Sequence, residues 1–428
     1  MKKSKENSCK PSVGIHKGNP KCTPLGVNLG VYIHIPLCIR KCLYCDFYSV
    51  SGLGEENEIR KQLISSICKE IEITGKSYKS SIEHKKAVVD TIYFGGGTPS
   101  ILSERELNLI LLSLFDAFDV KTDSEISLEC NPATATKEKL VAFRKTGINR
   151  ISIGAQSFDD GVLKVLGRVH DAKSIDAALK EAGEAGFDNV SLDLMFGIPG
   201  QTIEIWEKSV KKAISLEPTH ISMYSLEFME DTPFDKMRRE GLLLETSPDL
   251  DRKMYELGLS LLETAGFYQY EISNVSKPGF QCRHNLKYWD LSEYIGIGPS
   301  AHSFVNDIRY SNKSSIEEYI EGIKSGIIVQ PNDKKTEPED LPWIDLCHHN
   351  SLMDNSSEFM FTGLRKNEGI TYSDFRERIG EELWNVFPNQ KRQLSQFIAS
   401  GHVIADEKGI RLTNRGMNIS NRIMELFV

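Results

Sequence analysis

Between residue 31 and about 227 the chain keeps switching between two hydrophobic periods, and this switching restricts its fold more than any other feature. The stretches 31–36, 87–94, 125–130, 150–153, 190–196 and 220–226 are apolar, β-branched or alternating, and read as six strands. Between them, 58–74, 103–118, 137–145, 171–185 and 202–215 show the spacing of amphipathic helices. Breakers mark the joints: Gly147 and Gly186 follow helices, while Asn131-Pro132 and Gly197-Ile198-Pro199-Gly200 follow strands. Strands separated by helices pair in parallel, because parallel neighbours need long crossover connections. The expected class is therefore α/β, a partial (β/α)6 TIM-like barrel. In such barrels the chemistry sits on loops beyond the strands' carboxyl ends.

The first of those loops carries Cys38, Cys42 and Cys45 in the stretch Pro36-Leu37-Cys38-Ile39-Arg40-Lys41-Cys42-Leu43-Tyr44-Cys45. A C-x3-C-x2-C loop offers three thiolates to an iron–sulfur cube. Such clusters usually take four cysteines, so three leave one iron open to an exchangeable ligand. S-adenosylmethionine, held there by its amino and carboxylate end, is the expected occupant. The competing readings are a zinc loop or unrelated core thiols. Zinc wants a fourth short-range ligand, and neither Asp46 nor Phe47 is a thiolate.

This loop resembles the radical S-adenosylmethionine superfamily. Its Tyr32-Ile33-His34-Ile35-Pro36-Leu37-Cys38 lead-in resembles the branch of oxygen-independent coproporphyrinogen III oxidases and HemW-type heme chaperones. The oxidase pattern has a further cysteine two places after the third; here that place is Phe47, which counts against the oxidase reaction. In the resembled family a glycine motif after the second strand, here Gly96, Gly97 and Thr98, holds the amino group of S-adenosylmethionine. Alone, Gly95-Gly96-Gly97-Thr98-Pro99 is equally a tight turn. The resemblance further implies that Tyr32, Glu129, Gln156, Arg168 and Asp193 contact S-adenosylmethionine. Carboxylates suit ribose hydroxyls and an ammonium, and a guanidinium suits a carboxylate. Tyr44 is expected near the adenine, and His34 near the cluster or satisfied within its strand.

A second signature is Cys282-Arg283-His284-Asn285-Leu286-Lys287-Tyr288-Trp289. Histidine is a common axial ligand of heme iron, and aromatic rings cover porphyrin faces. On a helix His284 and Tyr288 share one face. Read alone, the segment is a packing helix end with a hydrogen-bonded histidine. The H-N-x-x-Y-W pattern resembles the heme-binding signature of the HemW-type group, which makes His284 the expected heme ligand, with Cys282 and His302 behind it.

Residues 1–28 hold six lysines, one acid and no arginine, and read as a disordered extension in which Cys9 and Cys22 are incidental. The barrel with the heme motif is expected over 29–329 and a proline-bearing linker over 330–345. A small winged-helix-like α+β domain follows over 346–428, with helices near 357–365, 372–379 and 390–399 and a hairpin at 402–412. A net charge of −8 gives no reason to expect nucleic acid. Nine cysteines, an odd count, suit a reducing cytoplasm rather than a disulfide framework. No run approaches a membrane span, which leaves at most peripheral contact. The expected function is a heme chaperone that binds a [4Fe-4S] cluster, S-adenosylmethionine and heme. It would pass heme to respiratory cytochromes, with the cluster supporting a homodimer or the transfer. The alternative is radical decarboxylation of coproporphyrinogen III to protoporphyrinogen IX.

Overall fold

The computed structural model describes residues 28–81, 87–326 and 337–428. The extension expected over 1–28, with Cys9 and Cys22, lies outside the described residues apart from Asn28. Six parallel strands follow the predicted order: β1 Leu29–Ile35, β2 Val88–Gly96, β3 Asp119–Cys130, β4 Arg150–Gln156, β5 Asn189–Phe196 and β6 His220–Ser225. Their crossovers contain the helices Glu58–Ser81, Glu104–Ala117, Lys137–Thr146, Ala172–Glu184 and Ile203–Ser215. Local chemistry starts and stops these helices. Ser103 and Glu106 form a capping box, Thr136 and Thr202 cap their helices, and Gly147 closes one in the left-handed region at φ +112°.

The strands are apolar on one side only. Ile33, Ile92, Phe94, Leu128, Ile151, Ile153, Leu192 and Ile221 are buried against Leu63, Ile67, Leu107, Ile110, Leu140, Ile175, Trp206 and Val210 of the helices. The alternate residues line the inside: Tyr32 and His34, Thr91 and Tyr93, Glu125 and Glu129, Arg150 and Ser152, Ser191 and Asp193, His220 and Ser222. Parallel register places Glu129 beside Ser152 and Asp193 beside Ser222. A period of two thus separates a dry outer core from a polar interior.

The sheet does not stop at six strands. β7 Tyr268–Glu271 and β8 Asn274–Ser276 add antiparallel strands beyond β6. β9 Tyr294–Ile297 pairs parallel with the free edge of β1, a seventh parallel strand. β10 His302–Val305, β11 Ile308–Asn312 and β12 Ile344–His349 extend that side, giving twelve strands in one sheet. The expected linker over 330–345 is therefore different where it is described, from Glu337 onward. Trp343 is 1% exposed in the main core, and β12 begins at Ile344. The cause is packing on two glycines. A Cβ on Gly322 or Gly326 of the helix Ile316–Gly326 would strike Trp343.

Beyond it, helices Leu352–Gly363, Tyr372–Ile379 and Gln390–Ala399 pack on a small sheet of β13 Ile370–Thr371, β14 Val403–Ala405 and β15 Gly409–Leu412. This is the expected winged-helix-like arrangement. Its core, with Phe359, Phe375, Leu394 and Ile410, continues into Leu291, Tyr294 and Phe304 of the large sheet's flank.

Candidate functional site

β1 runs directly into the cysteine loop, and its neighbours hold that loop in place. Leu37–Cys38 pairs with Val50–Ser51, Gly97 N–H donates to the Ile35 carbonyl (2.9 Å), and Thr98 N–H donates to the Leu37 carbonyl (2.7 Å). The glycine motif thus meets the cysteine loop itself. A Cβ on Gly97 would lie 2.7 Å from the Leu37 carbonyl oxygen, and one on Gly96, at φ +106°, would strike the His34 ring. On the far side of the loop Arg40 donates to the Gly167 and Arg168 carbonyls (2.7 and 2.9 Å). Leu43 N–H reaches the Leu166 carbonyl at 3.2 Å.

Cys38, Cys42 and Cys45 are all half-buried free thiols. The Cys38 Sγ lies 3.5 Å from the Thr98 hydroxyl, and the Cys42 Sγ accepts from Arg168 Nη1 at 3.4 Å. Burial pushes the Cys45 thiol up to about 11, with the nearby Cys42 and Cys38 adding to the rise. The other described cysteines lie elsewhere: Cys68 against Ser113, Cys130 against Ser100, Cys282 against Glu125 and Cys347 against Glu339. Among the described residues, then, the donor set is three thiols without a fourth, which suits a cluster with one open iron.

Most of the residues expected around S-adenosylmethionine meet at this mouth. Tyr93, which no sequence motif marks, donates from its hydroxyl to Glu129 Oε1 (2.9 Å). Ser152, likewise outside any motif, donates to both Asp193 oxygens (3.0 and 3.2 Å). Burial and the charge of Asp193 push the Glu129 carboxyl up to about 7, and burial raises Asp193 as well. Tyr32 is raised far above its ordinary value by burial and by Glu129, and its hydroxyl lies 3.2 Å from His34 Nδ1. His34 is satisfied within the structure, since its Nε2 bonds the Tyr48 carbonyl at 2.9 Å. Arg168 donates to the Gly154 carbonyl (2.7 Å) and meets the Tyr44 hydroxyl, while its buried Nε has no partner. Gln156 has a left-handed backbone at φ +65°, where β4 slips register against β5. For a non-glycine residue that conformation costs roughly 1–2 kcal/mol. Two half-buried carboxylates, a guanidinium with one unpartnered nitrogen and a strained glutamine fit a compact ligand carrying both an ammonium and a carboxylate. Alternation along the strands was the signal for Tyr93 and Ser152, because each shares an interior face with Glu129 or Asp193.

His284 sits at the opposite end. The helix Arg283–Trp289 closes the barrel where the strands begin, with Glu125 of β3 accepting from Arg283 N–H (3.1 Å) and His284 N–H (3.2 Å) at its first turn. Lys287 pairs with Asp90 at 2.8 Å. The His284 ring, 1% exposed, points inside and stacks on Tyr93 with centroids 5.3 Å apart. Its Nδ1 shares a hydrogen bond with the Thr91 hydroxyl and its Nε2 with the Tyr288 hydroxyl, both 2.9 Å. Burial lowers the imidazole to about 3. Cys282 is equally buried, whereas His302 is exposed on β10.

A family model for the radical SAM superfamily matches residues 32–213, and one for the HemN C-terminal domain matches 351–419. The chain is 34% identical over 403 residues to the heme chaperone HemW of Bacillus subtilis, covering 93% of this chain and 98% of that protein. It is 33% identical to heme chaperone HemW of Escherichia coli, covering 94% and 98%. To the mouse mitochondrial radical S-adenosyl methionine domain-containing protein 1 it is 30% identical, covering 92% and 86%. The fold matches the solved coproporphyrinogen III oxidase HemN of Escherichia coli with a TM-score of 0.77 at 22% identity, over 94% of this chain and 90% of that one. A three-thiol loop at the mouth of a polar barrel, joined to this identity over nearly the whole length of its relatives, shows that the chain belongs to the HemW family of radical S-adenosylmethionine proteins.

Proposed function

We propose that this chain is a heme chaperone of the cytoplasm that binds a [4Fe-4S] cluster, S-adenosylmethionine and heme, and passes heme to respiratory hemoproteins. The observation that carries this reading is identity with proteins named heme chaperones over more than nine-tenths of the chain. The three thiols at the mouth, with no fourth beside them among the described residues, support the cluster. When bound, such a cluster supplies an electron to the sulfonium of S-adenosylmethionine. Cys38, Cys42 and Cys45 would hold it. Glu129 and Asp193 would accept from the ammonium and ribose of the nucleoside, with Tyr93 and Ser152 orienting those carboxylates. Arg168 would pair with the carboxylate, Gln156, Tyr32 and Tyr44 would line the same mouth, and Gly96, Gly97 and Thr98 would form its floor. Phe47, 60% exposed where the oxidases carry a cysteine, speaks against coproporphyrinogen decarboxylation.

Heme would bind through His284. The ring is neutral at physiological pH, so no proton has to leave before it meets iron. Its Nε2 is held by Tyr288, so ligation requires that bond to open and the helix Arg283–Trp289 to yield. Heme titration of the anaerobic, cluster-loaded protein tests the reading. His284→Ala should weaken binding more than tenfold and change the Soret band. An unchanged spectrum and affinity, or conversion of coproporphyrinogen III by the parent protein, would remove the proposal.

A further inference from the structure

Three unlike donor atoms meet on the outer edge of the large sheet, away from the barrel. Cys347 and His349 are two positions apart on β12, so both project from the same side of that strand. Glu339, in the short 3-10 turn Pro338–Asp340, reaches between them. Its Oε2 lies 3.3 Å from the Cys347 Sγ and 2.9 Å from His349 Nε2. All three donor atoms lie within 4.8 Å of one another. His348, one position off, has its Nε2 3.4 Å from Asp354 instead. A thiolate, an imidazole and a carboxylate together form a zinc donor set, in which water takes the fourth tetrahedral position.

We propose that Glu339, Cys347 and His349 bind one zinc ion per chain and that the ion staples the 338–340 turn to the edge strand of the sheet. Among the described residues β12 has no partner strand on its outer side, where a fixed turn limits pairing with other chains. On binding, the Cys347 S–H bond breaks, a Zn–S bond forms and the proton passes to solvent. His349 binds as neutral imidazole, Glu339 as carboxylate, and no electron moves. Because the thiol binds the ion as thiolate, each ion bound displaces a proton and affinity climbs with pH.

The test uses protein whose Cys38, Cys42 and Cys45 already hold the cluster, freed of adventitious metal and titrated with Co2+ as a spectroscopic stand-in for zinc. One equivalent should bind with a thiolate-to-cobalt charge-transfer band and tetrahedral visible bands, all abolished by Zn2+. Cys347→Ser should lose the charge-transfer band, and His349→Ala should weaken binding at least tenfold. Iron content and cluster absorbance unchanged in both variants report an intact fold. The proposal is overturned if the parent binds no such equivalent, or if Cys347→Ser keeps the band and the affinity. Neither result touches the heme chaperone reading.

Discussion

Glu129 keeps a proton on folding that the unfolded chain releases above its ordinary 4.5, because burial and Asp193 push its carboxyl up to about 7. Its contribution to stability is whole below 4.5 and gone once the pH passes about 7. A net cationic nucleoside favours the ionised form. The affinity for S-adenosylmethionine should therefore rise as pH climbs through about 7 and level off above it. Glu129→Gln should flatten that profile and cost roughly tenfold or more at high pH, the worth of a charged hydrogen bond. Calorimetric titrations of cluster-loaded protein between acid and alkaline buffers check both. His284 titrates in the opposite sense. Lowered from 6.5 to about 3, it loses stability for the fold as pH falls from 6.5 towards 3, and acid unfolding of His284→Ala should lack that component.

The glycine loop and the helix Arg283–Trp289 each set a condition on the ends of the barrel. Gly97 makes room for the cysteine loop's carbonyls, so Gly97→Ala should displace Leu37 and Cys38. The cost should be about 1–3 kcal/mol, with iron content after reconstitution falling in parallel. At the other end, Tyr288→Phe removes the hydrogen bond on His284 Nε2 while keeping the ring's packing. Heme should then bind faster and tighter than to the parent, measured by stopped-flow at the Soret band. Slower binding would mean that Tyr288 helps to hold the heme. Gly95-Gly96-Gly97-Thr98-Pro99 was legible as a glycine turn, and His284-Asn285-Leu286-Lys287-Tyr288-Trp289 as a motif only through its resemblance to the HemW-type signature. What they touch was not legible. The glycines face the cysteine loop, and the histidine faces the barrel interior, because those neighbours lie dozens of residues away.

Across the molecule, the C-terminal module is tied to the barrel by a shared core rather than a spacer. Tyr294 and Phe304 lie in one apolar cluster with Phe359, Phe375 and Ile410, and Arg309 bridges to Glu358 through Nε and Nη2 (2.6 and 2.7 Å). Removing residues 351–428 should bare that cluster, at about 1.5–3 kcal/mol for each large side chain uncovered. Such a truncation should be poorly soluble or melt well below the parent in thermal scans. A truncation as stable as the full chain would contradict the shared core.

The order of the six strands, their parallel pairing, the helices between them and the three-thiol loop all follow from local periodicity and turn residues. Those signals act over a few residues and need no distant partner. The seventh parallel strand at Tyr294–Ile297, the burial of Trp343 and the enclosure of His284 do not follow from them. Each depends on which surface was left uncovered once the barrel had formed: the free edge of β1, the glycine face of Ile316–Gly326 and the open start of the strands. Such vacancies exist only in the assembled chain, and filling them settled where the remaining apolar segments came to rest.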